Sequence, residues 1–232
     1  MTTTPLKVHQ PKAAEAQSLS DRAYYAIREL IVTLELAPGS IVSERELQDR
    51  LVVGRTPVRE ALQRLENERL VEVYPRRGIF VSNVNVLDLA VLSEVRVVLE
   101  GFGARLAAER ATAADREQTV ALIAEVQRLN SSLDQRLLID VDQRIHRHVY
   151  GCTHNPFLEA TLDGYYVLTL RIWFLALDRV QRLDDAVKEH LELLEAIRDG
   201  DSLRAEDVMR RHVAGFEAAI RRVLSSLHTT DI

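Results

Sequence analysis

The sequence has 232 residues, of which 47% are apolar and 28% are charged, and it contains only 9 Gly and 6 Pro. This length and composition favour one large or two modest domains and exclude a disulfide-stapled mini-protein, a collagen-like chain and a disordered chain. The net charge of −5 argues at first sight against a nucleic-acid partner, but residues 1–82 carry 12 Lys and Arg against 11 Asp and Glu, whereas residues 83–232 carry 18 against 24. The acid excess therefore lies in the C-terminal part.

Cysteine content and hydropathy indicate the cellular compartment in which the protein is expected. The single cysteine, Cys152, cannot form an internal disulfide or a paired-cysteine zinc framework, so a cytoplasmic location is expected. The longest strongly apolar stretch, residues 165–177, is interrupted by Arg171 and falls short of the roughly 20 residues of a membrane span. Residues 1–17 lack apolar periodicity and are expected to form a flexible leader rather than a secretory signal.

The first helical period begins near residue 20. Ser20 is the expected N-cap. Pro38 and Gly39 are expected to end this segment, because proline cannot continue the hydrogen-bond ladder and glycine accepts a left-handed turn. The apolar residues that share one helix face are Tyr24, Ile27, Ile31 and Leu34.

Two shorter helices are predicted next. Ser43 and Glu46 have the spacing of a capping box, and the helix that follows them is expected to bury Leu47 and Leu51. The third helix opens around Gly54 to Pro57, where a proline in the first turn loses no hydrogen bond. Its predicted buried face consists of Val58, Ala61, Leu62 and Leu65, and its outer face carries Arg55, Arg59 and Arg64.

Residues 70–81 have the pattern of a β-hairpin. Two short β-branched stretches, LVEVY and IFV, are joined by the turn Pro75-Arg76-Arg77-Gly78. Three helices and a hairpin within about 65 residues are the layout of a winged helix-turn-helix. The sequence therefore predicts a winged DNA-binding domain at residues 18–82, followed by a linker at residues 83–85.

The remainder of the chain has helical periodicity and no strand pattern. The fold class is therefore mostly α, with an all-α helical bundle at residues 86–228 behind the winged domain. For the first helix of this bundle, a break near Gly101 and Gly103 is the alternative to one continuous helix. Helices are predicted at about 86–110, 113–130, 132–150, 156–178, 183–198 and 202–226.

Residues 37–81 have the sequence APGSIVSERELQDRLVVGRTPVREALQRLENERLVEVYPRRGIFV. This run resembles the DNA-binding domain of the GntR-type transcriptional regulators. The helical part is similar to the FadR C-terminal (FCD) domain that defines one branch of that family. The resemblance implies a winged domain that binds an operator and a helical domain that senses a small molecule and dimerises. Gly54 departs from the family, which usually has a serine or threonine there, so a hydroxyl that could contact a phosphate or cap the helix is missing.

The third helix carries the strongest candidates for reading DNA. Arg55 and Arg59 are four residues apart on one helix face, from which guanidinium groups can reach guanine edges in the major groove or pair with phosphates. The alternative is a solvated arginine face. The resemblance implies that the DNA contacts come from Arg45, Arg55, Thr56, Arg59 and, at the wing tip, Arg77 and Gly78.

Four residues of the predicted bundle have the pattern of metal ligands. Asp142 and His146 are four residues apart, so both project from one face of a helix. His190 and His212 lie near the middle of two other amphipathic helices. The four match the Asp-x-x-x-His pair and two distant histidines of metal-binding FCD regulators, with Ile145 where that pattern often has phenylalanine. The other histidines, expected to be surface or hydrogen-bonded residues, are His9, His148, His154 and His228.

Three imidazoles and one carboxylate suit Zn²⁺, Ni²⁺, Fe²⁺ or Mn²⁺, with Zn²⁺ as the default expectation. Six-coordination would leave two positions open for the carboxylate of an effector, whereas a closed tetrahedral site would be structural. An open site could also activate water, so a metal-dependent enzyme acting on a small carboxylate is a competing hypothesis, and a metal-only sensor is a third. The sequence has no paired acid and base beside the ligands and no nucleophile motif, so no enzyme is expected.

Two arginines are candidates for holding an anionic effector. The resemblance places Arg96 in the effector pocket, and Arg171 lies within an otherwise apolar helix. A buried arginine requires a partner, so each is expected to meet either an anion or an internal acid such as Glu100. The chain as a whole is thus predicted to be a metabolite-responsive transcription regulator, usually a repressor in such families. It would bind an inverted-repeat operator as a homodimer held by the helical domain, respond to a small organic acid, and have no membrane partner.

Overall fold

The computed structural model of the protein describes residues 18–129, 135–176 and 183–225. These residues divide into two compact units. The first takes in the described residues up to Asn85 together with Leu170–Leu175, and the second contains those from Val86 to Thr169 and from Ala176 onward. The predicted leader, His9 and His228 lie outside the described residues. None of the helices in these ranges has the length and apolarity to cross a membrane.

The first unit contains three helices and a small antiparallel sheet. Strand β3 is central, and the order is β1-β3-β2. Strand β1 was not predicted, because two residues are too few to give an alternating pattern. The helices are α1 (Leu19–Val32), α2 (Glu44–Leu51) and α3 (Arg55–Asn67), and the strands are β1 (Ile41–Val42), β2 (Val71–Tyr74) and β3 (Gly78–Val81).

The helix starts follow local capping chemistry. Ser18, not Ser20, is the N-cap of α1: its hydroxyl accepts a bond from the Asp21 amide at 3.1 Å, and the Asp21 carboxylate accepts one from the Ser18 amide. The predicted cap was wrong because Asp21 lies three residues after Ser18, as a capping box requires. Ser43 caps α2 by accepting a bond from the Glu46 amide at 3.2 Å, which is one half of the predicted capping box. Gly54 is the N-cap of α3 and supplies no side-chain bond.

The core of the first unit is built on α1 and α3. The predicted face of α3 is confirmed, since Val58, Ala61, Leu62 and Leu65 are all buried. Tyr24, Ile27 and Ile31 of α1 are buried as well. Leu34 and Leu51, by contrast, are only partly buried. The winged helix-turn-helix architecture is therefore as predicted.

Every secondary-structure element among the described residues of the second unit is a helix. Helix α7 is shared, since its residues Leu170–Leu175 belong to the first unit. The helices are α4 (Val86–Arg110), α5 (Ala113–Gln127), α6 (Gln135–Cys152), α7 (Pro156–Ala176), α8 (Leu183–Asp199) and α9 (Ser202–Ser225).

The predicted helix at about 86–110 is confirmed as α4, which continues through Gly101 and Gly103 without the alternative break. Their role is packing. A Cβ atom on Gly101 would lie 2.7 Å from Cγ of Arg210, and one on Gly103 would lie 2.9 Å from Cδ1 of Leu162. Glycine thus lets α4 approach its neighbours closely at these two positions.

Polar residues interrupt the buried stripes of three helices. In α6 the stripe that contains Leu138, Ile145 and Val149 also contains Asp142 and His146. A helix repeats its face every three or four residues, so a polar residue in such a stripe is directed into the bundle. His190 precedes the buried Leu193 and Leu194 of α8 in the same way, and His212 follows Val208 and Met209 of α9.

Candidate metal centre and DNA-binding face

The structure brings the four predicted ligands together. One ligand atom from each of Asp142, His146, His190 and His212 lies within 4.8 Å of the other three. Nε2 of His146 is 3.2 Å from Nε2 of His190, and Oδ1 of Asp142 is 3.9 Å and 3.7 Å from these two nitrogens. All four residues are buried. We call this set the quartet.

The quartet fits a divalent metal ion by its spacing and its donor atoms. Ligand atoms that each lie about 2.1 Å from one ion are about 3.0–3.4 Å apart. The 3.2 Å between His146 and His190 lies in this range, and the other separations are longer, up to 4.8 Å, so the four atoms would move slightly inward around an ion. Three imidazoles and a carboxylate are ligands that first-row divalent metals accept. Bringing these four polar groups together inside a bundle without a cation would also be costly, because a buried carboxylate requires compensation.

Further polar contacts orient Asp142 and His146 from the side that faces away from the other ligands. Nδ1 of His146 lies 3.2 Å from Oε2 of Glu100 and 3.1 Å from the hydroxyl of Tyr150. The Tyr166 hydroxyl donates to Oδ2 of Asp142 at 2.5 Å. A bond to the outer nitrogen of a histidine fixes its tautomer and directs the other nitrogen inward. The contacts therefore leave Nε2 of His146 and Oδ1 of Asp142 available to an ion.

Arg96 is tied to the same network. Its Nε donates to Oε1 of Glu100 at 2.5 Å, and its Nη1 donates to the hydroxyl of Thr169 at 2.9 Å. Burial would raise the pKa of the Glu100 carboxyl, but the charge of Arg96 and the hydrogen bonds from His146 and Arg96 outweigh it and hold the pKa at about 2. Of the two partners expected for Arg96, the structure contains the internal acid.

Arg171 has different partners from those expected. It belongs to the first unit, where its guanidinium donates to the hydroxyl of Ser82 at 2.9 Å and to the Ser82 carbonyl at 2.8 Å. Burial lowers its pKa to about 10. The partners of Arg171 are thus a hydroxyl and a carbonyl, instead of the anion or internal acid that the sequence predicted.

The remaining described histidines have hydrogen bonds outside the quartet. His148 contacts the hydroxyl of Thr119 at 2.7 Å, and His154 contacts Oδ2 of Asp115 at 2.8 Å. Cys152, which lies 3.5 Å from Nε2 of His148, is buried, and burial first and the charge of Asp115 second raise the pKa of its thiol to about 12. A thiol with so high a pKa is a poor nucleophile and a poor metal ligand at neutral pH.

The predicted DNA-contacting residues are exposed. Arg45 lies on α2, and Arg55, Thr56 and Arg59 lie on the first turns of α3. The side chains of Arg55 and Arg59 are 66% and 55% exposed. The wing turn carries Arg77 and Gly78, both exposed, with the Arg77 guanidinium 5.6 Å from the centre of the Tyr74 ring and Gly78 at a φ of +106°.

One carboxylate links the two candidate base-reading arginines. Glu44, the first residue of α2, lies 3.5 Å from Nε of Arg55 and 3.1 Å from Nε of Arg59. Arg55 and Arg59 are therefore held toward the same acid in the absence of DNA. An exposed pair of this kind is weak enough for a phosphate or a base to replace it.

Sequence reasoning missed most of the residues that support these sites. In the sequence alone, nothing distinguishes Glu44 from other helix-surface acids, or Tyr150 and Tyr166 from other core aromatics. A signal existed for Tyr150, because it lies one turn after His146 on the same helix face. Glu100 was considered only as a partner of Arg96, four residues earlier.

Two regions of the chain match known families. Residues 19–81 match "Bacterial regulatory proteins, gntR family" and residues 91–215 match "FCD domain". The HTH-type transcriptional repressor RspR of Escherichia coli (strain K12) is 26% identical over 212 residues, 89% of this chain and 91% of that protein. The galactonate operon transcriptional repressor of the same strain is 28% identical over 88% of this chain and 97% of that protein. The solved structure of E. coli McbR/YncC shares the fold, with a TM-score of 0.78 at 21% identity over 89% of this chain and 98% of that chain.

Proposed function

This chain belongs to the gntR family of bacterial regulatory proteins and carries an FCD domain, and we propose that it is a repressor controlled by a metal ion and a small organic acid. The family is one of transcription regulators, not enzymes. That excludes the competing hypothesis of a metal-dependent enzyme. RspR and the galactonate operon protein, two relatives of this chain, are named transcriptional repressors, which supports repression rather than activation.

The observation that carries the metal-binding proposal is the buried quartet. Three imidazoles and a carboxylate converge from three helices, and polar contacts on the far side of Asp142 and His146 leave their inner atoms available. A divalent ion held there would supply a Lewis-acidic centre for a carboxylate oxygen. Zn²⁺ is the first choice, with Ni²⁺, Fe²⁺ and Mn²⁺ as alternatives compatible with the same donors.

A small organic acid is the proposed effector. Arg96 is the proposed anion contact beside the quartet, because its guanidinium lies within the same buried network and an anion could compete with Glu100 for it. Arg171, bound to Ser82 in the first unit, stays a prediction. One relative is named for a galactonate operon, which supports a sugar acid as the first compound to test.

The proposed DNA contacts come from the exposed residues of α2, α3 and the wing turn, which together we call the winged face. Arg55 and Arg59 would read base edges, and Arg45, Thr56, Arg77 and Gly78 would contact the operator around them. An inverted-repeat operator requires two such faces and hence a homodimer. Dimerisation through the helical domain is supported by an exposed apolar stripe on α4 at spacings of three and four residues, formed by Val91, Val95, Val98 and Phe102.

Regulation would follow from differential affinity. An organic acid that binds one arrangement of the helical domains more tightly shifts the dimer toward it, and only a difference in affinity can do so. A metal-only sensor is the alternative, in which the ion alone shifts the dimer.

A cytoplasmic location is supported by the DNA partner and by the single cysteine, which cannot form a disulfide within the chain.

Two measurements on the full chain test this proposal. Selection from a random duplex library should enrich an inverted repeat, and elemental analysis should find about one divalent ion per chain, as one quartet of ligands requires. Failure to enrich any sequence would contradict specific DNA binding. Absence of metal after incubation with Zn²⁺, Ni²⁺, Fe²⁺ and Mn²⁺ in turn would contradict the metal site.

A further inference from the structure

A cavity of about 560 Å³ lies between α8 and α9 in the second unit and reaches the quartet at one residue. His212 lines this cavity and is 8% exposed, whereas Asp142, His146 and His190 are only 1–2% exposed. The quartet is therefore closest to solvent at His212. The cavity therefore gives a cation an opening to the ligands at His212.

The charged lining of the cavity is mostly acidic. Glu189, Glu192 and Glu195 face it, against a single guanidinium, that of Arg211. Glu192 is paired with Arg211 at 3.3 Å, and Arg204 lies 3.4 Å from Glu192 and 3.6 Å from Glu195. The three carboxylates exceed these two guanidinium groups by one negative charge. Such an excess at an opening attracts ions of the opposite sign.

Glu189 differs from the other two carboxylates in its partner. Its Oε2 lies 3.2 Å from Nδ1 of His212, and its side chain is 58% exposed. The carboxylate thus meets solvent on one side and holds a quartet ligand on the other. A bond at Nδ1 leaves Nε2 of His212 as the free ring nitrogen.

We propose that this acidic cavity is the path by which a divalent cation reaches the quartet, and that Glu189 is a positioning residue with two roles on that path. Its negative charge draws the hydrated cation to the opening. Its hydrogen bond keeps the His212 ring turned so that Nε2 is ready to replace a water of the ion. The inference rests on the metal binding proposed above.

The two roles can be separated by two substitutions. Glu189→Gln removes the charge and keeps an oxygen that accepts a bond from Nδ1 of His212. The association rate of Co²⁺ with chelator-stripped protein, followed by the visible absorption of the bound ion in stopped flow, should then fall about three- to tenfold at low salt. The deficit should shrink in 0.5 M salt, where charges are screened beyond about 4 Å. The number of ions bound at saturation should not change.

Glu189→Ala removes both the charge and the bond. Loss of a contact that orients a ligand typically lowers metal affinity about 10–100-fold, so this variant should bind Co²⁺ with a higher Kd as well as more slowly. Glu109→Gln is the matched control, because it removes one exposed carboxylate of the same unit, on α4, outside the cavity lining. Its Co²⁺ association rate should equal that of the wild-type chain.

The outcomes separate the path from the site. If the wild-type chain binds none of Co²⁺, Zn²⁺, Ni²⁺, Fe²⁺ and Mn²⁺, the metal binding proposed above fails and the path fails with it. If the wild-type chain binds the ion and Glu189→Gln loads at the wild-type rate at low salt, the path is overturned while the site stands. If Glu189→Ala keeps the wild-type Kd, the positioning role is overturned.

Discussion

The two candidate sites differ in how their charged side chains are held. Each ligand of the quartet is at most 8% exposed, and several are bonded to a second polar group behind them. On the winged face, Arg55 and Arg59 are more than half exposed and share one carboxylate. Buried ion pairs are costly to break, whereas exposed pairs contribute little. Substitutions of these buried residues should therefore lower stability as well as binding, and substitutions of the exposed residues around α3 should change DNA binding alone.

The largest effect is expected from Arg96→Met. The change leaves Glu100 buried beside His146 without its arginine, and an uncompensated buried charge lowers the free energy of unfolding by about 3–5 kcal/mol. Urea unfolding measures the loss. The double variant Arg96→Met with Glu100→Gln should recover much of it, because no charge is then left alone. A loss below about 1 kcal/mol in the single variant would remove the contrast between the two regions.

His190→Ala should abolish tight metal binding. The substitution removes one of the four ligands and leaves a gap beside His146, so the ratio of bound Zn²⁺ to protein in elemental analysis should fall from about one to near zero after dialysis. His148→Ala is the matched control, because His148 is a histidine of the same helical unit that contacts Thr119 instead of the quartet. Equal metal content in the His190 variant and the wild-type chain would remove His190 from the set of ligands.

The sequence could predict the residues whose roles depend on their own helix, but not those whose roles depend on a neighbouring helix. The quartet was predictable because Asp142 and His146 repeat at helical spacing and two further histidines lie in apolar stripes. Tyr166 and Glu189 were not predictable, because their roles depend on which residue of another helix faces them. The packing role of Gly101 and Gly103 was not predictable for the same reason: the side chains that approach them, Arg210 and Leu162, are distant in sequence.

Arg59→Ala tests the winged face. Loss of a bidentate contact with a base costs about 1–3 kcal/mol of discrimination, so affinity for the duplex selected from the library should fall about 5- to 150-fold. The melting temperature should change little, because the exposed pair with Glu44 contributes at most about 1 kcal/mol. Arg105→Ala, which removes an exposed arginine of the other unit, is the control and should bind the duplex normally. Unchanged discrimination in the Arg59 variant would leave it as a solvated surface residue.

The smallest effect is expected from Glu44→Gln. Without its carboxylate, Arg55 and Arg59 are free to pair with phosphates, so affinity for an unrelated duplex should rise about two- to fivefold, the equivalent of up to about 1 kcal/mol. The preference for the selected duplex should fall accordingly. Fluorescence anisotropy at two salt concentrations measures both quantities. Glu46→Gln, with the same change of charge in the same turn of α2, should show a smaller rise; an equal rise would mean that only net charge matters.

Metal-dependent DNA binding provides the most direct test of a regulator whose helical domain controls its winged domain. The Kd for the selected duplex is measured by anisotropy with chelator-stripped and Zn²⁺-loaded protein, and again with the His190→Ala variant. The expected result is at least about a fivefold difference in Kd between the two forms of the wild-type chain, the lower end of ordinary coupling between sites, and none for the variant. The same Kd for metal-free and metal-loaded wild-type protein would contradict control through the quartet.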